Sequence, residues 1–281
     1  MTPTSPTSQS SPVSQTTGRY ARTFAKLRAD GRKAYIPFTL LGWPNREMSL
    51  SILQQLADSG ATALELGLAF SDPVADGPVI QQAAKETIEA GFNVDDALAL
   101  LTTFRAANPD IPIGLLVYYN MVLHRGIDRF FADLAGAGVD GVLIADISVE
   151  VIDEVKAAAD AHGIALIMIV SPLTTPARLT QIAAAAGGFL YVVSRLGITG
   201  THEDYDPRLQ DLLSRIHAES TLPACVGFGI STPAQAQSMA QLGADGVITG
   251  SRIIQLIQNS TPDTWPGALS AYVQSMVNAV N

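Results

Sequence analysis

The sequence holds a single cysteine, four histidines and few charges for its length. With Cys225 alone, an intrachain disulfide and a cysteine-rich metal site are both excluded. Cys225 lies in the apolar stretch 222–226 and reads as a small core residue. His124, His162, His202 and His217 are scattered and form no H-x-x-x-H pair, so no metal site is expected. Charged residues make up only 15% of the chain, and 17 Lys and Arg face 26 Asp and Glu, for a formal net charge of −9. Such a balance lacks the clustered cations that nucleic acid or an anionic membrane surface requires. A small anionic ligand still fits, because a few backbone N–H groups hold a phosphate without much positive charge. No apolar run reaches the ~18–20 residues needed to span a bilayer. The beginning has no apolar leader either; residues 1–18 are rich in Ser, Thr, Pro and Gln and are expected to form a disordered tail. That composition also occurs in organelle transit peptides, but a helix is expected from Tyr20 onward, so the expected location is the cytoplasm.

What the chain has in quantity is apolar material, 47% of 281 residues, enough for one large core. The length is close to the ~250 residues of a (β/α)8 barrel, and residues 19–281 are expected to form one such domain. After Gly31, short β-rich apolar runs alternate with stretches of helical period, which signals βαβ units and a parallel sheet. The expected strands are 34–40, 63–67, 113–118, 141–145, 165–170, 189–193, 224–227 and 246–249. Helical segments are expected at 46–59, 127–137, 149–161, 176–186 and 233–242. Several of these end at a glycine one or two residues before the next strand, as at Gly60 and Gly138, which is how a helix stops in the left-handed conformation. An open doubly wound sheet would usually stop at five or six strands and carry its glycine-rich loop after the first. Here the glycine-rich segments come late, so an α/β TIM barrel is the expected fold.

In a barrel, chemistry gathers at the C-terminal ends of the strands. Glu65 sits inside the apolar run Ala63-Leu64-Glu65-Leu66-Gly67, with no basic residue near it in sequence. A buried, unpaired carboxylate escapes its cost by a raised pKa, which suits it to passing protons near neutrality. The following segment, Phe70 to Pro78, holds two acids, two prolines and a glycine, so it is shaped rather than loose. Asp72 fits a local turn. Asp76 fits two roles equally well from its surroundings, a functional carboxylate or the N-cap of a helix beginning near Val79. Gly227-Phe228-Gly229-Ile230-Ser231 ends the seventh strand and Gly250-Ser251 the eighth. Two glycine loops there match the phosphate site common to barrels. Gly197-Ile198-Thr199-Gly200, after the sixth strand, is expected to fold over the same ligand.

Taken together, Leu64-Glu65-Leu66-Gly67, Phe70-Ser71-Asp72-Pro73, Ala75-Asp76-Gly77-Pro78, Ile113 to Tyr118, Ser194 to Gly200, Gly227 to Ser231 and Gly250-Ser251 resemble the signature of the tryptophan synthase α subunit family. The resemblance runs collinearly from about Tyr20 to the C-terminus. It implies a lyase that cleaves indole-3-glycerol phosphate to indole and glyceraldehyde 3-phosphate by retro-aldol chemistry. By similarity, Glu65 is the general acid–base and Asp76 pairs with the indole N–H as positive charge develops. Phe38, Leu116, Leu143, Ile169 and Tyr191 would line the indole pocket. Thr199 falls on the lid loop, and Gly200, Phe228, Gly229, Gly250 and Ser251 fall on phosphate-binding positions. No metal and no cofactor on this chain are implied; pyridoxal phosphate belongs to the partner β subunit, with which the family forms an α2β2 heterotetramer.

The chain departs from the family pattern at Ala69, at Trp43, at Ser148 and in the acidic run 201–206. These positions lie on the face that meets the β subunit in the family. Two alternatives therefore stand beside the α-subunit reading: a stand-alone indole-glycerol-phosphate lyase, and a barrel that binds ligand and regulates a partner without catalysis.

Overall fold

A computed structural model describes residues 18–194 and 207–281. The tail expected up to residue 18 therefore lies outside the described residues except for Gly18, as do Thr199, Gly200 and the acidic run 201–206. Among the described residues, eight parallel strands close into a barrel in sequence order. They are β1 (Ala34–Leu40), β2 (Leu64–Gly67), β3 (Ile113–Val117), β4 (Gly141–Ile144), β5 (Ala165–Val170), β6 (Leu190–Val193), β7 (Ala224–Gly227) and β8 (Gly246–Thr249). The register Ala34↔Gly246 to Pro37↔Thr249 closes β1 on β8.

Helix α1 (Arg19–Ala29) precedes the barrel, and α2 (Arg46–Asp58) follows β1. Two helices, α3 (Pro78–Glu89) and α4 (Val94–Ala107), follow β2, and two more, α5 (Tyr119–Arg125) and α6 (Ile127–Gly136), follow β3. Single helices α7 (Asp153–Ala161), α8 (Pro176–Ala185), α9 (Leu209–Glu219) and α10 (Pro233–Gln241) follow β4 to β7 in turn. The chain ends with α11 (Ser251–Gln258) and α12 (Trp265–Val280) after β8. No described helix is long and apolar enough to cross a membrane.

Local sequence accounts for where these helices begin. Asn45 caps α2 by accepting from the Met48 N–H, and Asn93 and Asp96 form a reciprocal capping box on α4. Thr232 and Gln235 do the same on α10, with Pro233 at its first position. One expected helix differs. The segment 149–161 starts as a 3₁₀ turn, Val149–Val151, before α7. The tighter turn places Ile152 in the core while Val151 stays 60% exposed.

Two apolar layers result from the strand alternation. Outward residues pack against the helices in one cluster, while Ala34, Ile36, Leu143, Ile167, Phe189, Cys225 and Ile248 fill the interior. Helix α1 plugs the N-terminal end with Tyr20, Phe24 and Leu27, and Tyr20 meets Phe189 edge-on at 5.6 Å. A Cβ on Gly114 would sit 2.6 Å from the Tyr20 hydroxyl, so the bare backbone of β3 makes room for that plug. With α1 covering the bottom, the interior of the barrel opens at its C-terminal mouth.

Candidate active site

The mouth opens into a cleft lined by β1, β2, β3, β6 and β8 and by the segments that follow β2, β7 and β8. It encloses about 610 Å³ including its open side. Phe38, Leu116, Tyr191 and Ile248 supply its apolar wall, and Glu65 and Asp76 its acids. Gly229, Gly250 and Ser251 close the opposite end.

Glu65 stands in the middle of β2, paired in register with Phe38 on one side and Gly114 on the other. It is 4% exposed, and its Oε1 is buried without a hydrogen-bond partner among the described residues. Burial, assisted by the nearby charge of Asp76, pushes its pKa up to about 8.

Asp76 comes from the loop between β2 and α3. The cap of α3 is Gly77, followed by Pro78, and no side chain caps that helix. The Asp76 carboxylate turns instead toward Tyr118, whose hydroxyl donates to Oδ2 at 2.9 Å. Of the two roles open in the sequence, the cap is therefore excluded. Burial raises the Asp76 pKa, and the Tyr118 hydrogen bond opposes the rise. Tyr118 also accepts from the Ala75 N–H at 3.1 Å and stacks on Phe70 at 5.0 Å, so it fixes the loop as well as the carboxylate. Asp72 is occupied locally, accepting from the Ser71 hydroxyl at 2.9 Å.

The glycine loops are built for close approach. A Cβ on Gly227 would lie 2.1 Å from the Tyr191 hydroxyl, so β7 must end in bare backbone there. Phe228 then takes φ +67° and Gly229 φ +74°. The left-handed conformation is costly for a phenylalanine. It is held by the Ser194 hydroxyl, which donates to the Phe228 carbonyl, and by edge-on contact with Tyr191 at 5.8 Å. At the other loop, Gly250 precedes α11, which begins at Ser251 with no side-chain cap, leaving the helix start open to an anion.

Of the residues expected from sequence, Glu65, Asp76, Phe38, Leu116, Tyr191, Phe228, Gly229, Gly250 and Ser251 line one cleft. Leu143 and Ile169 belong to the barrel interior but are not among the lining residues. Thr199 and Gly200 lie outside the described residues. Tyr118 and Ile80 were not singled out by sequence reading. Tyr118 carried a usable signal, a polar residue at the C-terminal end of a barrel strand; Ile80, on a helix, carried none.

A model of the tryptophan synthase alpha chain family matches residues 24–280. The tryptophan synthase alpha chain of Shewanella baltica is 45% identical over 247 residues, 88% of this chain and 90% of the relative. That of Chloroflexus aurantiacus is 41% identical over 262 residues, 93% and 98% of the two chains. Among solved structures, tryptophan synthase subunit alpha from Legionella pneumophila superposes with a TM-score of 0.85 at 35% identity, covering 94% of this chain and 98% of that one. An aminoacrylate-bound tryptophan synthase from M. tuberculosis gives 0.84 at 30% identity, covering 94% and 100%. Fold, cleft and sequence agree, and the chain belongs to the tryptophan synthase alpha chain family.

Proposed function

We propose that this chain cleaves indole-3-glycerol phosphate to indole and glyceraldehyde 3-phosphate, as the α subunit of tryptophan synthase, with Glu65 and Asp76 as its catalytic residues. The observation that carries the reading is the Glu65 carboxyl, buried in the cleft wall with one oxygen unpartnered and a pKa near 8. A group so placed is largely protonated at neutral pH and close to its titration point.

Cleavage needs a proton delivered to the indole ring carbon that bears the side chain, and a proton removed from the adjacent side-chain hydroxyl. Glu65 does both in turn. Its proton goes to the ring carbon, and its carboxylate then takes the hydroxyl proton. The carbon–carbon bond breaks, its electrons return to the ring, and the side-chain carbon becomes the aldehyde. Glu65 ends protonated, as it began. Asp76 accepts the indole N–H and stabilises the positive charge that the ring carries between these steps. Phe38, Leu116 and Tyr191 offer the apolar faces that a flat ring fills, while Gly229, Gly250 and Ser251 take the phosphate. No group beyond the side chains is needed on this chain.

The partner β subunit would dock over the mouth. Four exposed large apolar side chains, Val74, Leu123, Val151 and Leu173, follow the C-terminal ends of β2 to β5 on that face. Exposed apolar groups there are surface that a partner would cover.

Indole release is measured for wild type and Glu65→Gln, each alone and with a cognate β subunit. Loss of about 10²–10⁴-fold in Glu65→Gln is the expected outcome. An unchanged rate would end the catalytic assignment. Stimulation and co-purification with the β subunit support the α-subunit role; their absence with intact turnover would favour a stand-alone lyase.

A further inference from the structure

The phosphate end of the cleft is formed by loops leaving two neighbouring strands, β7 and β8. Behind these loops, on the outer face of the sheet, three hydroxyl groups meet. Tyr35 Oη on β1 lies 2.7 Å from Thr249 Oγ1 on β8, and both residues are buried. The Tyr272 hydroxyl on α12 borders this pair. The same hydroxyl donates to the Ser231 carbonyl at 3.2 Å.

The positions are informative. Ser231 follows Gly229 by two residues, and Thr249 immediately precedes Gly250. Tyr272, bonded at the root of one glycine loop, therefore also borders the hydroxyl pair at the root of the other. The Ser231 N–H is held separately, by Gln235 Oε1 at 2.9 Å, so the loop after β7 is gripped at both backbone groups of one residue. Packing alone does not call for these hydroxyls. Phenylalanine fills nearly the same volume at positions 35 and 272 without burying a polar atom, which costs free energy unless it is bonded. Hydroxyls bonded at one loop root and packed beside the other add a direction that packing alone does not give.

We propose that Tyr272, acting with Tyr35 and Thr249, is a positioning residue for phosphate binding, holding the Gly229 and Ser251 loops at the spacing at which their N–H groups converge on one phosphate. The inference rests on the assignment of those loops as the phosphate site. It places Tyr272 at no reacting atom, so binding is affected and the chemical step is not.

Wild type, Tyr272→Phe and Tyr35→Phe are compared as full-length chains by three measurements: steady-state cleavage of indole-3-glycerol phosphate, calorimetric binding of inorganic phosphate, and thermal unfolding. The expected result for Tyr272→Phe is a rise of about three- to tenfold in both KM and the phosphate Kd, the effect of one neutral hydrogen bond, with kcat changed less than about twofold. A smaller rise in the same two quantities is expected for Tyr35→Phe. Unchanged KM and Kd, whatever happens to the melting temperature, would reduce the cluster to a packing feature and overturn the proposal. So would a fall in kcat at constant KM. Should Tyr272→Phe fail to fold, Tyr35→Phe and Thr249→Val are read by the same phosphate binding. A wild-type chain that binds phosphate without cleaving the substrate would overturn the proposed reaction and leave the phosphate arm to decide this inference. One that does neither would overturn both.

Discussion

Asp140 and Glu65 are buried carboxylates at opposite ends of the same barrel, and their surroundings could hardly differ more. Asp140, just before β4, has a side chain only 8% exposed and is fully occupied. Arg19 and Arg105 each donate to it at 2.9 Å, and the Ile113 N–H donates at 2.8 Å. Arg105 also reaches the Gly138 and Ile111 carbonyls, so the cluster ties α1, α4 and the starts of β3 and β4 together. Glu65 is as deeply buried, yet one of its oxygens has no partner among the described residues. A buried charge is tolerated when paired and costly when alone. The sealed end of the barrel satisfies its carboxylate; the open end leaves one oxygen unsatisfied, with the pKa pushed up.

The largest expected effect tests the sealed end. Asp140→Asn leaves Arg19 and Arg105 without their shared anion, and is expected to lower unfolding stability by about 3–5 kcal/mol. Turnover per folded molecule should stay near wild type, because Asp140 is at the end remote from the cleft. Chemical denaturation and indole release, measured on the same preparation, check both halves. A mutant that melts normally would mean that the two arginines find other partners, and the contrast between the ends would weaken.

Next comes the pH dependence of stability, which isolates Glu65. Its folded pKa, about 8, lies above the ordinary carboxylate value of 4.5. Between those values the folded state holds a proton that the unfolded state has released. Stability from this group is therefore complete below about pH 4.5 and is lost as pH rises through 8, by a few kcal/mol in all. Wild type should lose melting temperature across that window relative to Glu65→Gln, which has no proton to lose there. Parallel pH profiles for the two proteins would show that Glu65 is not the buried acid described here.

The strands were legible in sequence to within a residue, because each is an apolar β-rich run, most of them with a helix-stopping glycine close ahead; β3 and β7 follow proline-containing turns instead. Gly60 and Gly138 take φ +100° and +77°, as that reading requires. The place of Glu65 was legible for a related reason, a lone acid in an apolar run being hard to place anywhere but the barrel interior. Asp76 was not. The string Asp-Gly-Pro before a helix satisfies every local requirement of a cap, and what decides against it is Tyr118, 42 residues away. Alternation along a strand also places Leu143 and Ile169 on the inward side, where both join the interior cluster. The short helix α5 was missed because its start is held by Asp146, which accepts from the Tyr119 N–H at 2.7 Å across two strands.

Tyr118 gives a smaller test, confined to the open end. Tyr118→Phe removes the hydrogen bond that opposes the rise of the Asp76 pKa, so that pKa moves further up and less Asp76 is ionised at neutral pH. A fall of about tenfold in kcat/KM is expected, as for one hydrogen bond to a charged group. Its acid limb should shift to higher pH. A uniform fall across the pH range would assign Tyr118 to loop order alone, through its bond to Ala75 and its stacking on Phe70.

The smallest effect concerns a second unpartnered polar atom, one that separates burial from function. Thr39 is 1% exposed, and its hydroxyl also lacks a partner among the described residues. It sits on β1 opposite Leu66, one position from Phe38. Because Phe38 lines the cleft, alternation turns Thr39 away from it, into the apolar layer between strands and helices. Its unpaired hydroxyl therefore has a cost with no chemical return. Thr39→Val, nearly isosteric, is expected to stabilise the protein by about 1 kcal/mol, raising its melting temperature by about 2–4 °C. Its kcat/KM should not change. An unpaired buried group at the cleft should cost activity when removed, whereas one behind the sheet should only gain stability. If Thr39→Val lost turnover instead, an unsatisfied buried atom would no longer distinguish the working end of this barrel from its frame.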